Sequence, residues 1–284
     1  MSPALPKLSF AVLFCVLLAA YFTSASAKNV SVTYVPETPT AEAELPKLSA
    51  RAYGIFDVAT GALLAAYNET EPLPIASVTK LFAAAAVFRA LPLEYVVTVE
   101  PADVATEGRS GRLSVGEEYS AHELLFPLLL ESSNDSAAAL ERSTQKTLTT
   151  DMERLALESQ SPTLTFADAS GLSDQNVGSV TDLARATTLV YQELPQVFDI
   201  TRLSKRVGPY VPWTNNSPLF TDGGYLGGKH GYTNAAGRTA VALYRETLKP
   251  GIERTVGYVV LGSEDLASDI ATLRAYTDTA ITLK

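Results

Sequence analysis

The chain has 284 residues, of which 46% are hydrophobic and 19% are charged, which supports a buried core and excludes a wholly disordered chain. Its formal net charge of −9 lacks the basic excess that a nucleic-acid-binding protein requires. The single cysteine, Cys15, and the two histidines, His122 and His230, are too few for a disulfide or a cluster of Cys and His metal ligands. Any chemistry is therefore expected to use hydroxyls, amines, carboxylates and backbone amides.

The N-terminus has the features of an export signal. A short positive region precedes the apolar run LSFAVLFCVLLAAYF, and an A-x-A-like sequence ends at residue 27. A cleaved signal peptide over residues 1–27 and an uncleaved anchor both fit, because the apolar run is about long enough to span a bilayer. Both predict a domain at the outer face of the cytoplasmic membrane or in the cell wall, and the second adds an N-terminal membrane anchor. Residues 28–47, rich in Thr, Pro and Glu, are predicted to be a flexible linker.

Strand and helix patterns predict one folded domain over residues 48–284. The run ARAYGIFDVATGALLAAYNET predicts a β-hairpin around Thr60-Gly61, and RTAVALYRET and TVGYVVLGSE predict paired strands late in the chain. The helical patterns between and after them cover residues 74–91, 121–131, 136–145, 181–194 and a closing helix from about residue 266. Early and late strands with helices between them predict an α+β domain with a helical insertion.

The segment PIASVTKLFAAAAVF, residues 74–88, places a hydroxyl and an amine at the start of an otherwise apolar helix. Residues three apart share a helix face, so Ser77 and Lys80 are expected to touch. A lysine can take the proton of a serine when burial or a second cation lowers its pKa, and a helix N-terminus favours negative charge on the serine oxygen. The alternative interpretation is an N-cap serine beside a lysine that extends to solvent.

So short a motif is expected to recur by chance, and the segment STQK at residues 143–146 repeats it. This second copy follows a polar helix and has no apolar continuation. It indicates a solvated helix end rather than a site.

Two further clusters occur later in the chain. The segment SSN at residues 132–134 lies in a break between two helices, where serine and asparagine are also common as caps. The segment KHGYT at residues 229–233 enters a strand from a glycine-rich stretch, where a surface turn is the ordinary interpretation. Each cluster taken alone is modest evidence of function.

Together the clusters resemble the three signature motifs of penicillin-recognising serine enzymes: Ser77-x-x-Lys80, Ser132-x-Asn134 and Lys229-x-Gly231. The segments LLLESSNDSAAAL, FADASGL, VTDLA, GGKHGYTNAAG and VVLGSED make the chain similar, more closely, to low-molecular-mass D-alanyl-D-alanine carboxypeptidases. This resemblance covers the chain from about residue 50 to its end. It implies a DD-peptidase/β-lactamase-like fold, with an antiparallel sheet flanked by helices and a mostly helical subdomain inserted.

The resemblance also implies a role for each matching residue. Ser77 is the expected nucleophile on the penultimate D-alanine carbonyl, Lys80 its general base, and Ser132 a proton relay to the leaving D-alanine. Lys229 is expected to keep Lys80 uncharged and to attract the terminal carboxylate, while the backbone N–H groups of Ser77 and Tyr232 form the oxyanion hole. The residues expected to bind substrate are Asn134, Lys229, His230, Gly231, Tyr232 and Thr233. The implied partners are peptidoglycan stem peptides and, as covalent inhibitors, β-lactams, and no cofactor or metal is required.

His230 departs from the family pattern, which usually has threonine at this position. Imidazole can donate a hydrogen bond, but it is larger than a threonine side chain and its ordinary pKa is near neutrality. We therefore expect retained activity, with changes in carboxylate recognition, penicillin affinity and pH dependence.

Other functions remain as alternatives. A β-lactamase of class A shares the fold but uses a glutamate in an E-x-x-L-N pattern to release the acyl group, and no such pattern follows residue 134. A non-catalytic cell-wall-binding homologue is expected to lack one of the four predicted catalytic residues, and all four are present. A Ser-His-Asp hydrolase built on His122 would lack the G-x-S-x-G elbow, so this histidine is expected to be partly buried without a catalytic role.

Overall fold

The computed structural model describes residues 39–41, 44–108, 111–145 and 147–283. The predicted signal peptide or anchor, residues 1–27, lies outside these residues. Within them, no helix combines the length and the apolar character that crossing a membrane requires.

The described strands build one main sheet and several short pairs. They are β1 (Pro39–Ala41), β2 (Ala52–Asp57), β3 (Leu63–Tyr67), β4 (Leu73–Pro74), β5 (Val96–Thr98), β6 (Glu118–Ser120), β7 (Val177–Gly178), β8 (Lys205–Val207), β9 (Pro212–Thr214), β10 (Tyr225–Thr233), β11 (Gly237–Leu248), β12 (Ile252–Ser263) and β13 (Ile281–Leu283). The main sheet has the order β10–β11–β12–β2–β3, and every neighbouring pair is antiparallel. It therefore joins the predicted hairpin, which is confirmed, to the predicted late strands.

Most of the described helices lie between the early and late strands of the sheet. They are α1 (Thr79–Ala90), α2 (Ala121–Leu130), α3 (Asn134–Ser143), α4 (Leu148–Glu158), α5 (Val180–Glu193), α6 (Gln196–Thr201) and α7 (Leu266–Ala280). The helices predicted from the sequence are confirmed, whereas α4 and α6 were not predicted. The α+β class with a helical insertion is confirmed.

Side chains alternate along each strand of the main sheet, so they reach both of its faces. Both faces are buried, each in a different core. On β11, Val241 and Leu243 pack into the core that contains the inserted helices, whereas Ala242 and Tyr244 pack into a second core with α7. The inserted helices therefore lie against one face of the sheet and α7 against the other. The inner helical layer brings α1 close to the edge strand β10.

The start of α1 differs from the sequence prediction. Pro74 ends β4 instead of opening a helix, and Ala76 has a left-handed φ of 48°. Because such a residue interrupts a right-handed helix, the chain makes a 3-10 turn over Ala76–Val78 and becomes α-helical only at Thr79. Ser77 therefore lies in the turn, and Lys80 in the first turn of the α-helix.

The predicted linker also differs from the structure where it is described. Within residues 28–47, β1 pairs with β13, Leu45 packs against the second core, and the Tyr53 hydroxyl donates a hydrogen bond of 2.5 Å to the Pro46 carbonyl. The pairing of β1 with β13 joins segments that are distant in sequence, so local composition could not indicate it.

Candidate active site

Ser77 and Lys80 meet at the N-terminal end of α1, as their spacing predicts. Lys80 Nζ lies 3.1 Å from Ser77 Oγ. Every residue of α1 from Thr79 to Val87 is buried, and Lys80 itself is fully shielded from solvent. The lysine is thus held inside the core and does not extend to solvent.

Two carbonyl groups complete the surroundings of the Lys80 amine. Lys80 Nζ is 2.7 Å from Asn134 Oδ1 and 2.5 Å from the Ser170 carbonyl oxygen. Asn134 Nδ2 donates to the carbonyls of Glu107 and Gly108, at 2.8 and 3.2 Å, which fixes the orientation of this side chain. In the structure, the Asn134 amide is thus already hydrogen-bonded, whereas the sequence analysis expects it to hold the substrate.

Burial is the main reason why the pKa of Lys80 lies well below its ordinary value, because a charged amine loses its hydration in the core. The positive charge of Lys229 lowers this pKa further, and the negative charge of Asp168 acts in the opposite direction. The environment therefore favours the neutral amine, which is the form that a general base requires.

Lys229 approaches the same site from β10 at the edge of the sheet. It is also buried, and its Nζ donates a hydrogen bond of 2.7 Å to the His230 carbonyl. Burial lowers the pKa of Lys229 to about 7. Close to Lys229, a Cβ added to Gly231 would lie 2.4 Å from the backbone nitrogen of Ser77. Glycine at 231 therefore allows β10 to come into direct contact with the turn that carries Ser77.

Two residues other than glycine at this site have left-handed backbone conformations. Ala76 has a φ of 48°, and Ser132, between α2 and α3, has a φ of 60°. Next to Ser132, the Ser133 hydroxyl accepts the hydrogen bond from Ser136 N that caps α3. Left-handed conformations of such residues are costly and are often found at functional sites.

These elements border a cleft of about 780 Å³. Its lining includes the predicted residues Ser77, Ser132, Asn134, His230, Gly231, Tyr232 and Thr233. The structure therefore brings these seven residues to one opening, with Lys80 and Lys229 buried next to it. The cleft is also lined by Arg238, Leu172 and residues 264–267, which were not predicted from the sequence.

His230 differs from the expectation of titration near neutrality. Burial, followed by the positive charges of Lys229 and Arg238, lowers the pKa of His230 to about 3. The imidazole is therefore neutral at physiological pH, and it does not supply the pH dependence that the sequence analysis expects from it.

The remaining candidates lie elsewhere. Ser143 ends α3, and its hydroxyl donates to the Ala139 carbonyl at 2.7 Å, which fits the predicted helix end, while Lys146 lies outside the described residues. His122 is half-buried in the first turn of α2, and its ring packs edge-on against Phe126. Among the described residues, no group of three or more His, Cys, Asp or Glu side chains is placed to hold a metal ion.

Sequence reasoning missed the segment that supplies the Ser170 carbonyl. The Asp168 carboxylate accepts hydrogen bonds from the backbone N–H groups of Ser170, Gly171 and Ser173 and from the Ser170 hydroxyl. Although burial raises the pKa of Asp168, these hydrogen bonds outweigh it and lower the pKa overall. The only signal in the sequence was the family-like segment FADASGL, which gave no role to any of its residues.

The chain is similar to known proteins both in sequence and in fold. The chain is 26% identical over 213 residues to a D-alanyl-D-alanine carboxypeptidase of Mycobacterium tuberculosis, covering 72% of this chain and 73% of that protein. It is 30% identical over 165 residues to a D-alanyl-D-alanine endopeptidase of Pseudomonas aeruginosa, covering 54% of this chain but only 52% of the relative. The crystal structure of penicillin-binding protein D2 from Listeria monocytogenes, in its cefotaxime-bound form, superposes with a TM-score of 0.72 at 20% identity, covering 82% of this chain and 98% of that one.

The structural similarity shows that the fold is the one found in penicillin-binding proteins, as the sequence predicts. A sequence model of the D-alanyl-D-alanine carboxypeptidase family matches residues 38–264, which is most of the chain. The chain therefore belongs to the D-alanyl-D-alanine carboxypeptidase family, and the protein is a hydrolase of this class.

Proposed function

We propose that this carboxypeptidase trims the terminal D-alanine from peptidoglycan stem peptides through an acyl-enzyme on Ser77, and that β-lactams acylate the same serine. The observation that carries the proposal is the 3.1 Å contact between Lys80 Nζ and Ser77 Oγ, made by a fully buried lysine. A serine hydroxyl needs a base within hydrogen-bond distance to become a good nucleophile, and a buried amine is available as that base.

In the acylation step, Ser77 Oγ forms an ester with the penultimate D-alanine carbonyl carbon as its proton passes to Lys80. The peptide C–N bond breaks, and the leaving nitrogen takes up a proton through Ser132, so D-alanine departs as a neutral amine. Water then hydrolyses the ester and regenerates Ser77. The position of Ser132 in the lining of the same cleft as Ser77 supports this relay.

Backbone amides are proposed to stabilise the oxyanion of both tetrahedral intermediates. The donors are the N–H groups of Ser77 and Tyr232, and the close approach of Gly231 to Ser77 N supports this pairing. The Thr239 hydroxyl on β11 donates 2.8 Å to the Ile75 carbonyl, which attaches the turn carrying Ser77 to the sheet.

The terminal carboxylate of the substrate is proposed to bind beside Lys229 and His230. Lys229 supplies positive charge from below the cleft, and neutral His230 supplies a hydrogen-bond donor at its surface. Tyr232 and Thr233 extend the same edge strand, and an extended peptide is proposed to lie along it.

Mass spectrometry of the purified protein after exposure to penicillin tests the proposal. The expected result is a single adduct on the peptide that contains Ser77, absent in Ser77→Ala and retained in Ser143→Ala. The second variant is a matched control, since Ser143 begins the other S-x-x-K sequence. In parallel, release of D-alanine from a D-Ala-D-Ala peptide should be lost in Ser77→Ala.

Two outcomes would contradict the proposal. A parent protein that is not labelled at any pH would favour the non-catalytic cell-wall-binding homologue. An adduct that forms and hydrolyses within seconds would favour a β-lactamase-like hydrolase.

We also propose that the N-terminal segment exports this domain to the outer face of the cytoplasmic membrane or the cell wall, where peptidoglycan lies. The support is the apolar run before residue 27 and the family's substrate. Intact-mass analysis of the protein from a secreting host would distinguish a cleaved signal peptide from a retained anchor.

A further inference from the structure

Three polar atoms surround the amine of Lys80, and two of them are carbonyl oxygens. Asn134 Oδ1 and the Ser170 carbonyl can only accept hydrogen bonds, whereas the Ser77 hydroxyl can accept or donate. A neutral amine has two N–H groups and one lone pair. When both N–H groups are donated to the carbonyl oxygens, the lone pair points at Ser77, which then donates its O–H to Lys80.

The Ser170 carbonyl therefore helps to orient the Lys80 amine. It belongs to a short loop, residues 168–176, between α4 and α5. Four hydrogen bonds of 2.6–2.8 Å to the Asp168 carboxylate hold this loop: three from the backbone N–H groups of Ser170, Gly171 and Ser173, and one from the Ser170 hydroxyl. No other side chain in the described part of the loop gathers as many of its backbone donors.

The loop is also packed directly against the turn that carries Ser77. Gly171 has a φ of 82°, and a Cβ placed there would lie 2.0 Å from the Ala76 carbonyl oxygen. Ile75 N donates to the Asn176 carbonyl at 2.9 Å, which joins the far end of the loop to the same turn. A displacement of the loop would therefore move the Ser170 carbonyl relative to both Ser77 and Lys80.

We propose that Asp168 is a positioning residue for the general base: it orders the loop so that the Ser170 carbonyl, together with Asn134 Oδ1, directs the lone pair of Lys80 at Ser77. The inference rests on the proposed function, because it assigns no role unless Lys80 activates Ser77. The electrostatic effect of Asp168 acts against this structural role, since its negative charge near Lys80 favours the unreactive ammonium form.

The test compares Asp168→Asn, Asp168→Ala and Asp174→Ala in the full chain. Asp174 is an exposed carboxylate in the same loop and serves as the matched control. The measurement is the second-order rate of acylation by fluorescent penicillin across pH 5–9, on protein shown to be folded by circular dichroism.

We expect Asp168→Ala to lower the plateau rate roughly 10–100-fold, because small misplacements of a catalytic group have effects of this size. Asp168→Asn keeps a carbonyl oxygen in place of Oδ1, which accepts three of the four hydrogen bonds, and should recover most of the rate. Both variants should move the acid limb of the pH profile to lower pH, and Asp168→Ala should move it further. The variants remove the negative charge that favours the Lys80 ammonium, and Asp168→Ala also loosens the carbonyl that accepts from it. Two charged groups shift the pKa of Lys80: Asp168 in the loop raises it, and Lys229 on β10 lowers it.

The pH profile separates positioning from simple loss of folded protein, which lowers the amplitude of labelling without moving the limb. An acid limb of Asp168→Ala that coincides with that of Asp168→Asn, or an Asp168→Ala rate within twofold of Asp174→Ala, would overturn the inference. If Asp168→Ala does not fold, Asp168→Ser, which also lacks the carboxylate and is too short to replace it as the acceptor, takes its place in both comparisons. Failure of the proposed function is distinguishable, because it would appear as absence of acylation in the parent itself.

Discussion

Two buried lysines reach the candidate site from different regions of the molecule. Lys80 lies in the inserted helical region and is enclosed by Ser77, Asn134 and the Ser170 carbonyl at 2.5–3.1 Å. Lys229 lies on the edge strand of the sheet, and its amine donates to the His230 carbonyl next to it in the chain. The first amine is surrounded by partners that orient it, whereas the second is placed where a charge can act on the cleft.

The two lysines are therefore suited to different roles. Burial lowers the pKa of both lysines, and the charge of Lys229 lowers that of Lys80 further. An oriented neutral amine suits proton transfer, and a cation next to the cleft suits attraction of a carboxylate. Four experiments test whether the two lysines differ in this way.

The largest effect is expected for removal of the oriented amine. Lys80→Met should reduce acylation by penicillin and D-alanine release by about 10⁴-fold, the upper range for loss of a general base. The side-chain volume is nearly kept and the charge is not needed for folding, so thermal unfolding should stay cooperative. Stopped-flow acylation rates together with a melting curve test this, and retention of more than a tenth of the parent rate would rule out Lys80 as the base.

Removal of the Lys229 amine should lower activity and raise stability at pH 7. Lys229→Met is expected to lower kcat/KM about 10²–10³-fold, as loss of a preorganised electrostatic group does. Between about pH 7 and its ordinary pKa, Lys229 binds fewer protons when folded than when unfolded, so the parent's free energy of unfolding rises with pH in this window. The variant should therefore be more stable than the parent at pH 7, by up to about 4 kcal/mol at 1.4 kcal/mol per pKa unit, with the difference shrinking towards pH 10. Urea unfolding at both pH values tests this, and a variant less stable than the parent at pH 7 would contradict it.

The pH profile of the parent's kcat/KM should reflect the protonation of both lysines. Activity should rise with pH as Lys80 loses its proton, at a pH well below the ordinary lysine value, and kcat/KM should fall above about pH 7 as Lys229 loses its charge. The falling limb should move to higher pH in kcat, because a bound carboxylate stabilises the Lys229 cation. A profile of kcat/KM that stays flat from pH 6 to pH 9 would refute the assignment of Lys229 to carboxylate attraction.

The smallest effect is expected at the residue beside Lys229. His230→Thr should lower KM for a D-Ala-D-Ala peptide by about 2–10-fold, the value of one improved hydrogen bond, because threonine restores the hydroxyl typical of the family. Both limbs of the pH profile should keep their positions, since the pKa of His230, at about 3, lies outside the working range. The matched control is His122→Gln, at the histidine that packs on Phe126 away from the cleft. Identical kinetics for parent and His230→Thr would show that the residue does not contact the carboxylate.

Local sequence patterns were enough to predict the class of the fold and most of the residues of the candidate site. Alternation of side chains in the hairpin and the late strands, and the apolar run after Lys80, are local patterns that report directly on the elements they form. The spacing of Ser77 and Lys80 is also local, since residues three apart meet on one turn. The helix α4 was also predictable, although it was not predicted, because Leu148, Met152, Leu155 and Ala156 recur at the spacing of an amphipathic helix.

The enclosure of the Lys80 amine, in contrast, depends on contacts between distant segments. Ser170 is 90 residues from Lys80 in the chain, and Asn134 is 54 residues away. Because every residue has a backbone carbonyl, the residue type at 170 does not indicate this contact. The left-handed Ala76 and the contact of Gly231 with Ser77 depend likewise on how β10 and the loop around Asp168 pack against α1. The tertiary structure also determined that His230 is neutral, because a pKa follows from burial and nearby charge, and both arise only once distant segments come together.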